Sequence, residues 1–202
     1  AVRPGPATLR LTNATDRAQV LLLEQTDWSD QASTAAIVTS LQAFRDLFSS
    51  EALRPGEAIS VESMTIMFTD LKGSTAMYRT IGDAPAFGRV MDHFDILRDG
   101  VARHQGAVVK TIGDAIMATF PTPAQGVAAA LDIRKVIDEL NRRDSRDDLF
   151  LKVGLHSGPC LAVLMNERQD YFGQTVNLAS RLQTIATPDM IFATTPVVED
   201  EE

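Results

Sequence analysis

"MTIMFTDLKGSTAMYRTIGD", residues 64–83, decides the fold. Met64–Phe68 is nearly all apolar, as a strand covered on both faces must be. Two residues later comes a carboxylate, Asp70, and then Leu71, Lys72, Gly73, Ser74 and Thr75. A carboxylate at the end of an apolar strand is costly unless something cationic meets it. A metal ion that also holds a phosphate is the most economical partner. The backbone N–H groups of Leu71–Thr75, at the start of a helix, would then face the phosphates. Gly73 lets the backbone come close because it has no Cβ. The same stretch also fits a Ser/Thr helix start with an incidental aspartate. The residues of this stretch alone leave both readings open.

Outward from this strand, helical and extended patterns alternate. Ser74–Ile81 reads as a helix. Ala84–His104 reads as a second, with Phe87, Val90, Met91, Phe94, Leu97 and Val101 on one side and Gly106 closing it. Ala107–Lys110 and Ala115–Phe120, joined by a tight turn with Gly113, read as a hairpin. Pro121-Thr-Pro123 breaks the chain. Ala124–Asn141 is a helical pattern with Val127, Ala130, Leu131, Ile137 and Leu140 inward. Leu149, Leu151, Val153 and Leu155 alternate as a strand, Val176–Ile185 is helical, and Met190–Ala193 is a final strand. The order β-α-α-β-β-α-β-α-β predicts an α+β, ferredoxin-like sandwich with helices on one face of a mostly antiparallel sheet. Within residues 1–30, alternation at Leu9 and Leu11 and the run Val20–Leu23 around an Asn13–Asp16 turn predict a β-hairpin. Residues 31–53 predict a connector helix with Ile37, Leu41, Phe44 and Phe48 in one stripe, ended by Arg54-Pro55-Gly56. Residues 1–56 are thus expected to be a fragment of an upstream regulatory segment. Residues 57–202 are expected to form the catalytic domain.

The chain has 202 residues, 45% hydrophobic and 23% charged, an ordinary globular composition. Its net charge of −8 argues against nucleic acid or anionic membrane as a partner. Cys160 is the only cysteine, so no internal disulfide forms, and a reducing, cytoplasmic setting is expected. No apolar run approaches the roughly 20 residues of a membrane span, so no direct insertion of this fragment is expected. His93, His104 and His156 lack metal-ligand spacing. His156 and Cys160 read as structural, and the seven methionines read as core.

Asp114 sits just past the hairpin turn, in "VVKTIGDAIMATF". In a β-α-α-β-β order this hairpin is a plausible neighbour of the first strand, which would put Asp70 and Asp114 side by side. Two like charges so placed repel unless divalent cations lie between them. Such paired aspartates build two-metal phosphoryl-transfer sites. In "QDYFGQTVNLASRLQ", residues 169–183, Asn177 and Arg181 are four apart and share one helix face. An amide and a guanidinium pointing the same way suit a developing charge on a ribose or phosphate oxygen, although a helical Asn and Arg are more often plain surface residues. Asp170 lies seven before Asn177, within reach of the same cavity.

The motifs "FTDLKGST", "KTIGDAIMATF", "GLHSGP" and "DYFGQTVNLASRL", over about Ser63 to Ala193, resemble in order and spacing the class III nucleotidyl cyclase catalytic domain of adenylyl and guanylyl cyclases. The resemblance implies that Asp70 and Asp114 hold two divalent metal ions, Mg²⁺ or Mn²⁺. It implies that Lys110 and Asp170 read the purine, that Asn177 orients the ribose, and that Arg181 stabilises charge on the α-phosphate. It also implies a homodimer whose sites take metal ligands from one chain and base-reading and transition-state residues from the other. Lys110 as donor and Asp170 as acceptor match adenine, and guanine reverses that pattern. The expected activity is therefore ATP to 3′,5′-cyclic AMP and pyrophosphate. The chain stops soon after Ala193, where domains of this family usually continue, so a C-terminally truncated domain is expected. Tyr171-Phe172 precede Gly173 where many members carry an aliphatic residue and Trp, a variation in packing. Another two-metal nucleotide cyclase would share the two aspartates without needing Asp170, Asn177 and Arg181 at this spacing. A silent cyclase-like regulatory dimer module would be expected to lack a metal aspartate, and none is lacking here.

Overall fold

The computed structural model describes residues 33–48, 53, 56–144 and 149–199. The hairpin predicted within residues 1–30 lies outside them. Two short helices come first, α1 (Ala35–Thr39) and α2 (Gln42–Phe48). Then follow β1 (Ala58–Lys72), α3 (Ser74–Ile81), α4 (Asp83–Arg103), β2 (Ala107–Ile112), β3 (Ala115–Phe120) and α5 (Pro123–Arg143). The chain continues through β4 (Phe150–Met165), β5 (Arg168–Phe172), α6 (Gln174–Ile185), β6 (Ile191–Ala193) and α7 (Thr195–Val198).

The sheet runs β2-β3-β1-β4-β5, with β6 parallel to β4 and every other pairing antiparallel. β1 is central, as its unbroken apolar run requires. Its side chains alternate between two cores. Met67 and Leu71 pack with α3, α4 and α5 residues such as Met77, Leu97 and Ile133. Met64, Ile66 and Phe68 pack with Tyr171 and with Ala179 of α6. Helices therefore cover both faces rather than one. α3, α4 and α5 take the first face, and α6 with α1 takes the second. A bulge between Val61 and Met64 lets Val61 join the second core as well.

Helix entry into α5 is fixed by a capping box. Thr122 accepts from the Gln125 N–H, Gln125 Oε1 accepts from the Thr122 N–H, and Pro123 takes the first turn. Most of the two expected stripes is buried, Val90, Leu97 and Val101 of α4 and Ala130, Ile137 and Leu140 of α5, whereas Phe87, Met91 and Leu131 are exposed and Ala86, Gly100 and Ile133 join the inner side. A Cβ on Gly100 would lie 2.3 Å from Ile133 Cγ1, so α4 and α5 approach each other closely at a residue without a side chain.

The connector differs more. The described residues of the expected connector do not form one helix, because α1 and α2 are separate helices with Ser40 and Leu41 between them. The expected apolar stripe is turned outward, with Ile37, Leu41 and Phe48 exposed, and Arg45 is the buried residue of α2. Among the methionines, Met64, Met67, Met77 and Met117 are buried, whereas Met91, Met165 and Met190 are exposed. No helix among the described residues is long and apolar enough to cross a membrane.

Candidate active site

β1 does not stop at Phe68. It runs through Asp70 to Lys72, with Asp70 opposite Lys152 of β4. Leu71 is therefore a buried strand residue, and the helix begins only at Ser74, after Gly73 in a left-handed conformation (φ 79°). Gly73, Ser74 and Thr75 stand where the first free N–H groups of α3 lie. The β1–β3 register pairs Phe68 with Met117, and the Ile116 N–H donates to Thr69 Oγ1. Asp70 and the hairpin-turn residue Asp114 thus come to the same end of adjacent strands.

Their electrostatics fit a cation. Burial first, and then the Asp114 carboxylate, hold the Asp70 carboxyl above its ordinary value, while Lys152 and the Gln183 amide pull the other way. Asp114 Oδ2 is buried without a hydrogen-bond partner. A buried carboxylate oxygen left unpaired, facing a second carboxylate, suits a divalent ion. Among the described residues no three or more His, Cys, Asp or Glu group together to hold a metal. The pair would leave the remaining coordination positions to phosphate oxygens and water. His93, passed over in the sequence, is fully buried beside Asp114. Burial pushes its imidazole down to about 4, against the opposing pull of the Asp114 backbone and carboxylate. Neither ring nitrogen has a well-aligned partner, so it serves as a neutral packing wall.

Lys110 and Asp170 lie on β2 and β5, the two ends of the strand order among the described residues, and still touch. Lys110 Nζ is 2.5 Å from Asp170 Oδ2. The other oxygen of Asp170 accepts from the Tyr171 N–H at 2.8 Å. The sheet is curled enough for its edges to meet, and the Lys110 side chain remains 41% exposed.

α6 is seated by two glycines of "GLHSGP". A Cβ on Gly154 would lie 2.3 Å from Gln183 N and 2.5 Å from Ala179 O, so helix and strand backbones touch there. At Gly158 a Cβ would meet Thr175 Oγ1 at 3.0 Å. His156, between them, bonds Thr194 Oγ1 through Nδ1 at 2.7 Å, the structural part expected of it. Thr175 and Ala179 form the inner side of α6, leaving Asn177 and Arg181 exposed on the outer side. The described side chains thus form three groups: the Asp70–Asp114 pair, the Lys110–Asp170 pair, and the outward Asn177 and Arg181. No hydrogen bond or ion pair among the described residues joins one group to another.

The model of the "Adenylate and Guanylate cyclase catalytic domain" family matches residues 57–199. The chain belongs to the adenylate and guanylate cyclase family. A receptor-type guanylate cyclase of Caenorhabditis elegans is 29% identical over 149 residues, covering 67% of this cyclase chain and 13% of that protein. An adenylate cyclase of Lachancea kluyveri is 30% identical over 154 residues, covering 66% of this chain and 8% of its own length. This cyclase chain therefore spans a small part of those relatives. The solved structure of the adenylyl cyclase CyaB from P. aeruginosa superimposes with a TM-score of 0.66 at 18% identity, over 71% of this chain and 81% of that one, a likeness of fold. Relatives of both base types match, so the comparisons assign a nucleotide cyclase domain, adenylyl or guanylyl. Cyclases of this family generally use divalent metals.

Proposed function

We propose that this cyclase domain converts ATP to 3′,5′-cyclic AMP and pyrophosphate in sites shared by two copies of the chain. The observation that carries the choice of base is the Lys110–Asp170 pair. Lys110 offers a donor to adenine N1, and Asp170 accepts from the exocyclic amine. Guanine presents N–H and C=O at those positions and meets a donor with a donor. Asp70 and Asp114 would hold divalent ions, which when bound neutralise the triphosphate and make the ribose 3′-hydroxyl a better nucleophile. The N–H groups at Gly73–Thr75 would receive phosphate oxygens. Asn177 holds the ribose so that the 3′-oxygen stands in line with the α-phosphorus. A bond forms from that oxygen to the α-phosphorus as the bond to the bridging oxygen of pyrophosphate breaks. The hydroxyl proton leaves to solvent. Arg181 meets the charge that grows on the α-phosphate oxygens. The outward placement of Asn177 and Arg181 supports a site completed by a second copy, because on their own chain they face away from the sheet.

The test is incubation of the purified chain with ATP or GTP and Mn²⁺ or Mg²⁺. Cyclic AMP and pyrophosphate in equal amounts, with ATP preferred, is the expected result. Replacing Lys110 by Glu together with Asp170 by Cys is expected to lower ATP use and raise relative GTP use. Preferential cyclic GTP formation by the unaltered chain, or no cyclic product, would overturn the reading.

A further inference from the structure

The base-reading pair joins two strands that share no ladder. Among the described residues β2 and β5 end the strand order, each with one row of backbone groups that no described strand pairs. α2 fills part of both rows. Gln42 Oε1 accepts from the Val108 N–H at 2.8 Å, two residues before Lys110 and at the β2–β3 irregularity between Val108 and Lys110. The Gln42 amide is oriented for this because its nitrogen donates to Asp46 Oδ1 at 2.8 Å. One turn on, Arg45 Nη2 donates to the Gln169 carbonyl at 2.6 Å. The Arg45 guanidinium carbon lies 5.6 Å from the centroid of the Tyr171 ring, and the Tyr171 hydroxyl donates to the Thr39 carbonyl at 3.2 Å. The residues on either side of Asp170 are thus both tied to the N-terminal helices.

Arg45 is 5% exposed and faces no bonded carboxylate. A buried guanidinium held mainly by a carbonyl and a ring costs more than an apolar residue of that size would. Its attraction to Asp170 adds to the tie. The apolar stripe of the same helices is turned to solvent instead. Simple burial would have chosen the opposite face, so the polar contacts decide how α2 sits.

We propose that α2 is a clamp across the two sheet edges, and that Gln42 and Arg45 are positioning residues which set the geometry of Lys110 and Asp170. Nucleotide affinity and selectivity then depend on a segment that lies before residue 57, where the family match begins. The proposal rests on the reading of Lys110 and Asp170 as base-reading residues.

The test uses the whole chain with Gln42→Met, Arg45→Met and, as the conservative variant, the exchange Gln42→Glu with Asp46→Asn, which keeps an acceptor for the Val108 N–H, keeps a hydrogen bond between positions 42 and 46 and leaves the net charge unchanged. Hydrogen exchange of the nucleotide-free protein is followed at residues 107–112 and 168–172, with β1 as the internal reference. kcat and KM are measured for ATP and GTP. Both Met variants are expected to speed exchange at both edges together, leaving β1 unchanged. They are expected to raise KM for ATP and lower the ATP-to-GTP preference by roughly tenfold each, the effect of one misaligned hydrogen bond, with kcat within about threefold. The Gln42→Glu, Asp46→Asn exchange is expected to behave as wild type. Exchange confined to one edge, or an unchanged base preference in variants that lose only kcat and stability, would overturn the clamp. Wild-type protein that turns over neither nucleotide would count against the cyclase reading. The exchange arm needs no substrate and decides the clamp by itself in that case.

Discussion

Gly154→Ala tests how tightly catalysis depends on the seat of α6. In an ordinary strand the change removes glycine's extra backbone freedom and stabilises by about 0.5–1 kcal/mol. Here the new methyl group would lie 2.3 Å from Gln183 N, 2.5 Å from Ala179 O and 2.9 Å from Gln183 Cα. All three are backbone atoms, so no rotamer change relieves them. Reaching an ordinary contact of 3.4 Å moves α6 away from β4 by roughly one ångström. Overpacking of this kind costs about 1–3 kcal/mol, which outweighs the gain in most of its range. The net loss of up to about 2.5 kcal/mol lowers Tm by up to about 10 °C in a domain of this size. A displacement of about 1 Å also carries Asn177 and Arg181 off line, and misplacement on that scale costs on the order of 10²-fold in rate. The assay is a thermal melt by circular dichroism beside steady-state cyclic nucleotide production. Gly88→Ala on α4 is the control. No atom lies within 4 Å of its Cβ position, so it should leave activity unchanged and raise Tm slightly. A Gly154→Ala protein with wild-type kcat and a Tm equal or higher would refute the argument.

Asp70→Ala and Asp114→Ala should each abolish cyclisation without unfolding the chain, and Mn²⁺ should raise the Tm of wild type but of neither variant. Because the Asp70 carboxyl titrates above its ordinary value, that Mn²⁺ shift should shrink as pH falls through its raised pKa. Asp70→Ala and Arg181→Ala proteins, each inactive, should recover roughly a quarter of wild-type activity when co-expressed, since half the dimers are mixed and each mixed dimer holds one intact site. No recovery with mixed dimers present would mean that each chain builds its own site. His93 holds a folded pKa near 4 against 6.5 for the free side chain, so its contribution is complete above pH 6.5 and is lost as pH falls toward 4. Between pH 7.5 and 5 this amounts to about 2 kcal/mol, read as the extra loss in urea unfolding of wild type over His93→Met; equal losses would refute it.

The strands and helices that carry the cyclase motifs were legible because local pattern and tertiary burial agree in them. α3 spans Ser74–Ile81 as read, and the Gly113 turn joins β2 to β3. β5 was not read as a strand, because its inward positions are Gln169 and Tyr171 and no apolar alternation marks it. In α4 and α5 most of the apolar stripe is buried as its spacing predicts, and the close approach at Gly100 escapes the pattern because glycine has no hydrophobicity to register in a periodic count. In α2 the signal pointed the wrong way, since the stripe Ile37–Leu41–Phe48 is exposed and Arg45 is buried. Only the positions of Val108 N and Gln169 O, distant in sequence, give that arginine and Gln42 their places. Asp70, Asp114, Lys110, Asp170, Asn177 and Arg181 were singled out through motifs. Their grouping needed the curl of the sheet and the outward face of α6.

Lys110 and Asp170 pair with each other. Under the roles proposed for them, a nucleotide does not enter a vacant pocket but displaces an internal competitor. Adenine returns a hydrogen bond to each partner as it parts them, so the exchange is close to even. Guanine would part them and return neither, leaving an ammonium against N–H and a carboxylate against C=O. The wrong base is then opposed by bonds the protein already has, in addition to those it fails to gain. The resting ion pair acts as a threshold, set before any substrate arrives, that each purine must cross on its own chemistry.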